Sequence, residues 1–415
     1  MSSTNIEPWL SVIGIGENGL EGLTEAAKLS IASSEIVIGG KRHLSLISNS
    51  NQIHLVWPSP LNKLVKKLDL YRGRKTCILA TGDPMCYGIG STLIRTISIK
   101  EMIIIPSQSA LALACARIGW KHEEVDLITL HGRPFASIDT HLRPHGKLIV
   151  LSNDENTPID LAHHLVTRGY GDSHLTVLEH MAGPLEKRYS GCANNWKHPP
   201  GAALNTVAIS LSSGRNTYVK TRAPGLDDGV FINDGQLTKR EIRALTISAL
   251  EPYPGALLWD IGAGSGAISI EWMRIDPRCH AIAIECNIQR ATLITKNAEN
   301  LGTPYLRVVN KKAPSSLSNL PRPNAIFIGG GITQKGLFEK CWQELREGGC
   351  LVCNLVTAES EAKVFKLQGR LGGSLTRLAV SRLEPLGKAN IWRPHLQITQ
   401  WKLSKPHTVR ECSKK

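Results

Sequence analysis

In "WDIGAGSGA", residues 259–267, Gly262, Gly264 and Gly266 stand on alternate positions, directly after an apolar run and directly before a helix-like stretch. A backbone that must turn tightly there and lie against a ligand needs residues without bulky side chains. Ala263 and Ser265, the small residues between the glycines, complete the turn. Asp260 places a carboxylate two residues before the first glycine, where it would repel a pyrophosphate but suits a ligand carrying an amino group. Glu285 ends the next apolar run, "AIAIE", roughly 20 residues on, the place where a carboxylate accepts hydrogen bonds from a ribose diol. The combination predicts a site for a nucleoside-bearing cofactor.

Gly262, Gly264 and Ala267 also satisfy the dinucleotide fingerprint of nicotinamide and flavin enzymes. Asp260 argues against that reading, and the D-x-G-x-G-x-G spacing is the one S-adenosylmethionine (SAM) methyltransferases use; a turn of purely structural purpose is the third possibility. Glu285 has a structural alternative as well, a strand-end carboxylate paired with nearby basic groups. Upstream, "GQLTKREIRALTISAL" predicts a helix opened by a capping box of Thr238 and Glu241. The Thr238 hydroxyl is then either the cap or a ligand contact at a helix N-terminus.

The elements that must hold these residues follow from periodicity. Short β-branched runs alternate with amphipathic stretches in the first half, "LSVIGIG", "EIVIGG", "TCILATG", "MIIIPS", "VDLITLHG" and "KLIVLS". From about Ser173, closely spaced strands, "HLTVLEHM", "EKRYSG" and "NTVAISL", leave no room for crossover helices and predict mostly antiparallel pairing. A polar stretch rich in turn residues, 213–228, reads as a linker between a first domain, 1–212, and a second, 229–415. The second carries five strands, "ALLWDIG", "HAIAIEC", "YLRVVN", "NAIFIGGG" and "CLVCNLV", in an order that predicts a doubly wound sheet.

At 415 residues the chain is long enough for two units with cores of their own. No apolar run approaches the roughly 18 residues of a spanning helix, and the first residues carry no basic leader, so a cytoplasmic protein is expected. Ten cysteines lack the spacing of a disulfide framework. Cys350 and Cys353 fall on opposite faces of a strand and His163 and His164 are helix neighbours, so no metal site is expected. The formal charge of +14 is uneven: residues 1–219 carry 21 basic and 18 acidic groups, residues 220–415 carry 28 and 17. Such an excess suits a polyanionic partner, or a solvated basic face. The tail "KLSKPHTVRECSKK" reads as a disordered end.

From "GLDDGVFINDGQLTKREIRALT" through "LLWDIGAGSGAISIEWMR", "AIECNIQRATLITKNAENLG", "KKAPSSL", "NAIFIGGG" and "REGGCLVCNLVTAESE", the second half resembles the decarboxylating precorrin methyltransferases of cobalamin biosynthesis. In the first half "TGDPMCYGIGSTL", "IPSQSALALACARIGW", "HGRP" and "LSNDENTP" are similar to the tetrapyrrole methylase family. The resemblance covers nearly the whole chain. It implies an α/β protein: an N-terminal tetrapyrrole methylase fold of two α/β subdomains, then a C-terminal Rossmann-like SAM methyltransferase domain. It also implies SAM contacts at Gly14, Gly16, Gly82, Asp83, Pro84, Ser109 and Ala110 in the first half, and at Ala313 in the second. The implied chemistry is methylation of an anionic ring-contracted tetrapyrrole at carbons 5 and 15, with loss of the carbon 12 acetate as carbon dioxide. Two stretches depart from the family pattern. Glu17 replaces the proline of the opening glycine turn, in "GIGENG", and Lys311 and Lys312 precede the Ala-Pro pair, either as sites for substrate carboxylates or as surface charges.

Methyl transfer needs alignment more than a protein nucleophile, and the macrocycle can absorb the electrons of decarboxylation, so no catalytic acid or base is nominated. Glu271 is the nearest by position, and the helix dipole accounts for an acidic residue there. A nucleic-acid methyltransferase would need a platform for a flipped base; the chain offers "IFIGGG" after the fourth strand and only 5% aromatic residues. A non-catalytic SAM sensor is the other alternative. The partners expected are the tetrapyrrole and further copies of the chain, with no nucleic acid and no membrane.

Overall fold

A computed structural model describes residues 7–47, 51–58 and 65–407 of the protein. The chain divides into two compact units, Met1–Arg133 with Arg143–Tyr218, and Pro134–Leu142 with Val219–Lys415.

In the first unit β1 (Leu10–Ile15), β2 (Ile36–Gly39), β3 (Ile53–Val56), β4 (Thr76–Thr81) and β5 (Met102–Ile105) form a parallel sheet in the order β3-β2-β4-β1-β5. Central strands covered on both faces must be apolar throughout. Accordingly Leu10, Val12, Ile13 and Ile15 of β1 and Ile78 and Leu79 of β4 are fully buried. The second sheet contains β6 (Val125–Thr129), β7 (Lys147–Leu151), β8 (His174–Glu179), β9 (Lys187–Cys192) and β10 (Asn205–Ser210), in the order β6-β7-β10-β8-β9. Only β6 and β7 run parallel; the later strands pair antiparallel, as their close spacing predicts.

The second unit is built on β11 (Leu257–Ile261), β12 (His280–Ile284), β13 (Arg307–Val309), β14 (Ala325–Ile328) and β15 (Cys350–Leu355), all parallel. Four further strands, β16 (Ser374–Leu378), β17 (Ser381–Leu386), β18 (Ala389–Pro394) and β19 (Ile398–Ser404), lie beyond the five that the sequence predicts. The main sheet has the order β13-β12-β11-β14-β15-β19-β16, with β19 antiparallel to both neighbours, and β17 and β18 form a separate hairpin. Residues 402–404, expected in a loose tail, are therefore ladder residues of β19; residues 408–415 of that tail lie outside the described residues. Cys350 and Cys353 are buried in the cores on opposite faces of β15, as apolar thiols.

The start of this unit is a strap, residues 225–239, where the sequence expects a linker to end and a capped helix to begin. Leu226 and Phe231 belong to the core. The helix Arg240–Leu250 starts one residue too late for the expected capping box: Lys239 is the N-cap, without a side-chain cap. Glu241 instead pairs with Arg382 of β17 at 2.7 Å, and the Thr238 carbonyl accepts from Arg243 Nη1 at 2.5 Å. The helix dipole is also not what explains Glu271. Its buried carboxylate accepts hydrogen bonds from Arg243 Nε at 2.6 Å, Gly225 N at 2.6 Å and Leu226 N at 2.9 Å. Arg243, wholly buried, also donates to the Leu226 carbonyl and to Asp228 Oδ1, and lies 4.7 Å from the centre of the Phe231 ring.

Removing one member of such a pair strands the other charge in the core, at a cost of about 3–5 kcal/mol. Glu271→Gln is expected to lower the stability of the second unit by that amount in chemical denaturation. A loss below about 1 kcal/mol would mean that the strap is held by its apolar residues alone.

Candidate functional sites

Each unit ends its parallel strands in a glycine turn. In the second unit the turn joins β11 to the helix Ala267–Ile275, and Gly262, Gly264 and Gly266 all have positive φ, +71°, +58° and +80°. Their tasks differ. A Cβ on Gly266 would meet Ile294 Cγ2 at 2.8 Å, so this glycine lets two helices pack closely. A Cβ on Gly264 would meet only the Gln236 carbonyl, at 3.7 Å, so the backbone here borders open space beneath the strap. Ala263 N donates to the Ile284 carbonyl at 3.2 Å, and buried Ser265 accepts through its carbonyl from Asn297 Nδ2 at 2.9 Å.

Two carboxylates sit at this turn. Glu285, 4% exposed, accepts from Gly264 N through Oε2 and from Asn287 N through Oε1, both at 2.9 Å. Its partners are backbone N–H groups, not the basic side chains of the structural alternative. A carboxylate has about four acceptor positions, so two remain for a diol. Asp260, 1% exposed, accepts from Ser269 N at 3.1 Å and Ser269 Oγ at 2.7 Å through Oδ2, while its Oδ1 is buried with no hydrogen-bond partner among the described residues. Burial, with a smaller contribution from the nearby charge of Glu285, pushes the Asp260 carboxyl up to about 6. An unpartnered buried carboxylate oxygen and an open backbone cradle fit a cofactor with a cationic group.

Thr238 is half-buried at the end of the strap, and the buried Ala313 accepts through its carbonyl from Gln334 Nε2 at 2.6 Å. Lys311 and Lys312 are exposed. Asn297, which sequence reasoning did not single out, ties the strap to the turn: its Oδ1 accepts from Ile232 N and its Nδ2 donates to the Ile232 carbonyl, each at 2.8 Å, besides Ser265. Its only sequence signal is its place within "KNAENLG".

The first unit holds a cleft of about 690 Å³, with Gly16, Gly82, Asp83, Ser109 and Ala110 among its lining residues. Gly14 and Pro84 shape it without lining it. A Cβ on Gly14 would lie 1.8 Å from the Gly82 carbonyl oxygen, so the ends of β1 and β4 can meet only with glycine there. Pro84 is buried and accepts through its carbonyl from Gly90 N at 2.9 Å. Gly82 has φ +58°; Asp83 Oδ1 accepts from Met85 N at 2.8 Å, fixing the turn. Ser109 caps the helix Ala110–Ile118, accepting from Ala112 N at 3.1 Å. Glu17, the departure from the glycine-turn pattern, lines the same cleft between Arg42 and His180.

Comparison with known proteins gives a consistent result for both units. Residues 10–191 match the family of tetrapyrrole (corrin/porphyrin) methylases, and residues 229–405 match a precorrin methyltransferase domain. A precorrin-6Y C(5,15)-methyltransferase [decarboxylating] from Sinorhizobium is 43% identical over 402 residues, 96% of this chain and 97% of the relative. One of the same description from Mycobacterium tuberculosis is 41% identical over 398 residues, 95% of this chain and 99% of the relative. Among solved structures, the C-terminal domain of precorrin-6Y C5,15-methyltransferase from Rhodobacter capsulatus is 41% identical, covering 45% of this chain and all of that one, with a TM-score of 0.42.

Asp260 generates a pH prediction. Because its folded pKa lies above the usual 3.8, its contribution to stability is complete below about pH 4 and is lost as pH rises through about 6. The loss amounts to about 3 kcal/mol, at 1.36 kcal/mol per unit. Asp260→Asn, whose side-chain oxygen still accepts from Ser269, is expected to flatten that part of the stability profile in the absence of ligand. An unchanged slope between pH 4 and pH 6 would show that Asp260 ionises normally.

Proposed function

Since the chain belongs to the family of decarboxylating precorrin-6Y C5,15-methyltransferases and is a tetrapyrrole methyltransferase of cobalamin biosynthesis, we propose that each unit is a separate SAM-dependent centre. The first unit methylates carbon 5 of a precorrin-6 macrocycle. The second methylates carbon 15 and releases the carbon 12 acetate as carbon dioxide. The observation that carries this reading is that each unit has its own glycine turn at the ends of its parallel strands.

Bound SAM supplies a sulfonium methyl that a nucleophilic ring carbon can take. In the second unit Gly262, Ala263, Gly264, Ser265 and Gly266 provide the backbone cradle, Asp260 pairs with the amino group of the cofactor, and Glu285 accepts from its ribose. Thr238 and Ala313 border the same site. In the first unit Gly16, Gly82, Asp83, Ser109 and Ala110 hold the cofactor, in a cleft whose shape Gly14 and Pro84 maintain. Holding the reacting carbon in line with the methyl can itself supply about 7–11 kcal/mol of the barrier. The basic excess of residues 220–415, 28 positive against 17 negative groups, suits a substrate carrying several carboxylate arms. Lys311 and Lys312 are exposed cations available to those arms.

The reading is tested by anaerobic incubation with SAM and precorrin-6Y, followed by mass spectrometry of the product. Two added methyl groups and one lost carbon dioxide are expected. Gly264→Val puts a branched side chain into the cradle at a position with φ +58°, and is expected to leave a product with at most the carbon 5 methyl and no decarboxylation. Full conversion by that variant would remove the second cradle from the mechanism.

A further inference from the structure

Methyl transfer from SAM has a proton to dispose of. A cationic donor becomes neutral S-adenosylhomocysteine, the ring carbon gains CH3, and the cation left on the macrocycle becomes neutral only by losing H+. The cleft of the first unit contains a side chain arranged to receive it. We propose that His180 is the proton acceptor for methyl transfer in the first unit, and that Glu17 is the positioning residue that orients its imidazole. The inference rests on the proposal that this cleft is a methylation site, and goes beyond it by assigning the base.

The geometry is specific. Glu17 Oε2 lies 2.7 Å from His180 Nδ1, while its Oε1 is paired with Arg42. The Glu17 side chain is 14% exposed and that of His180 23%, and both residues line the cleft. When Nδ1–H donates to Glu17, the imidazole is fixed in the tautomer whose Nε2 carries the free lone pair. Burial opposes ionisation of Glu17, but the hydrogen bond from His180 and the charge of Arg42 together hold its carboxyl below the usual range, so it stays an acceptor.

The surrounding backbone is shaped to this contact. His180 has φ +46° and Ala182 φ +64°, left-handed conformations that non-glycine residues rarely adopt. A residue held in such a conformation at a cleft is often there for function. The turn packs directly on Glu17: a Cβ on Gly183 would lie 2.5 Å from Glu17 Cβ. Proline, the residue the family pattern has at position 17, would have no carboxylate to offer, so the departure from the pattern and the histidine contact belong together.

Other groups in the cleft are less suited. His43 is pushed down to about 4, by burial first and then by Arg42, so it is a weak base at neutral pH. His131 is exposed, with no carboxylate bonded to its ring among the described residues. Asp83 is committed to its own turn. The charged groups facing His180 are Glu17 from the turn after β1 and Arg42 and His43 from the helix Lys41–Ser45. On its own loop Glu186, paired with Arg117, holds Ala182 N.

The test is single-turnover methylation at carbon 5, followed against pH in the full-length protein. His180→Asn suits it, because the Asn amide nitrogen takes the place of Nδ1 and Asn tolerates left-handed backbone, while Nε2 is removed. The expected result is a fall of roughly 100-fold or more in rate at neutral pH, with SAM affinity changed less than about threefold. Glu17→Ala removes the acceptor that holds the Nδ1 side of His180, so the rate should fall roughly tenfold or more with SAM affinity little altered, and Glu17→Gln, whose amide oxygen still accepts, should restore most of it. A latch between the two turns would lose SAM affinity along with the rate. Wild-type carbon 5 methylation by His180→Asn, or loss of its SAM binding together with its rate, would overturn the assignment. Gly82→Val separates the two claims: if it leaves carbon 5 methylation intact, the cleft itself is misassigned, whereas an inactive Gly82→Val beside an active His180→Asn removes only the base.

Discussion

The second unit is organised around one buried ion pair, Arg243 with Glu271. Burying two charges is costly, and the cost is offset only when every remaining donor and acceptor is used. Here the carboxylate also takes two backbone N–H groups of residues 225 and 226, and the guanidinium reaches Asp228 and the carbonyls of Leu226 and Thr238. Hydrogen-bond satisfaction thus requires the strap to lie in one position. That position brings the Gln236 carbonyl over Gly264, and Asn297 fixes the other side by bonding both Ile232 and Ser265. The cradle is built from backbone, so it depends on whatever holds the backbone still.

The first unit reaches a similar end with different residues. Its glycine turn is set by the contact of Gly14 with the Gly82 carbonyl, and its half-buried carboxylate, Glu17, is tied to side chains instead of backbone. A carboxylate held by backbone N–H groups, such as Glu285, is a fixture of its turn that keeps acceptor positions for a ligand. One that is hydrogen-bonded to an imidazole, as Glu17 is to His180, has chemistry open to it. This contrast is why a base is proposed in the first unit and neither carboxylate at the turn of the second is assigned that role.

Much of this was legible in the sequence. Strands covered on both faces announce themselves as apolar runs, and the fourteen strands β1, β2, β4–β10 and β11–β15 follow from such runs or from close spacing, whereas the short, half-exposed β3, "IHLV", does not. The glycine turns were legible because positive φ at Gly82, Gly262, Gly264 and Gly266, and close backbone approach at Gly14, select glycine. Strands β16 to β19 were not: in β17 and β18 most residues are exposed, including Trp392 at 69%, so no buried face imposes a pattern. The capping box at Thr238 failed because a long-range partner, Arg382, claims Glu241, and the role of Glu271 was hidden because Arg243 lies 28 positions away in the chain. Glu17 could be seen as a departure, but its partner His180 is 163 positions distant, a pairing that only the fold reveals.

The central claim is that the chain holds two independent cofactor sites, one in each unit. Isothermal titration of the full-length protein with SAM measures this directly. The account predicts two molecules bound per chain, with Gly264→Val reducing the count to one while the remaining site keeps its affinity. A single molecule bound per wild-type chain, or loss of both sites in the variant, would contradict it.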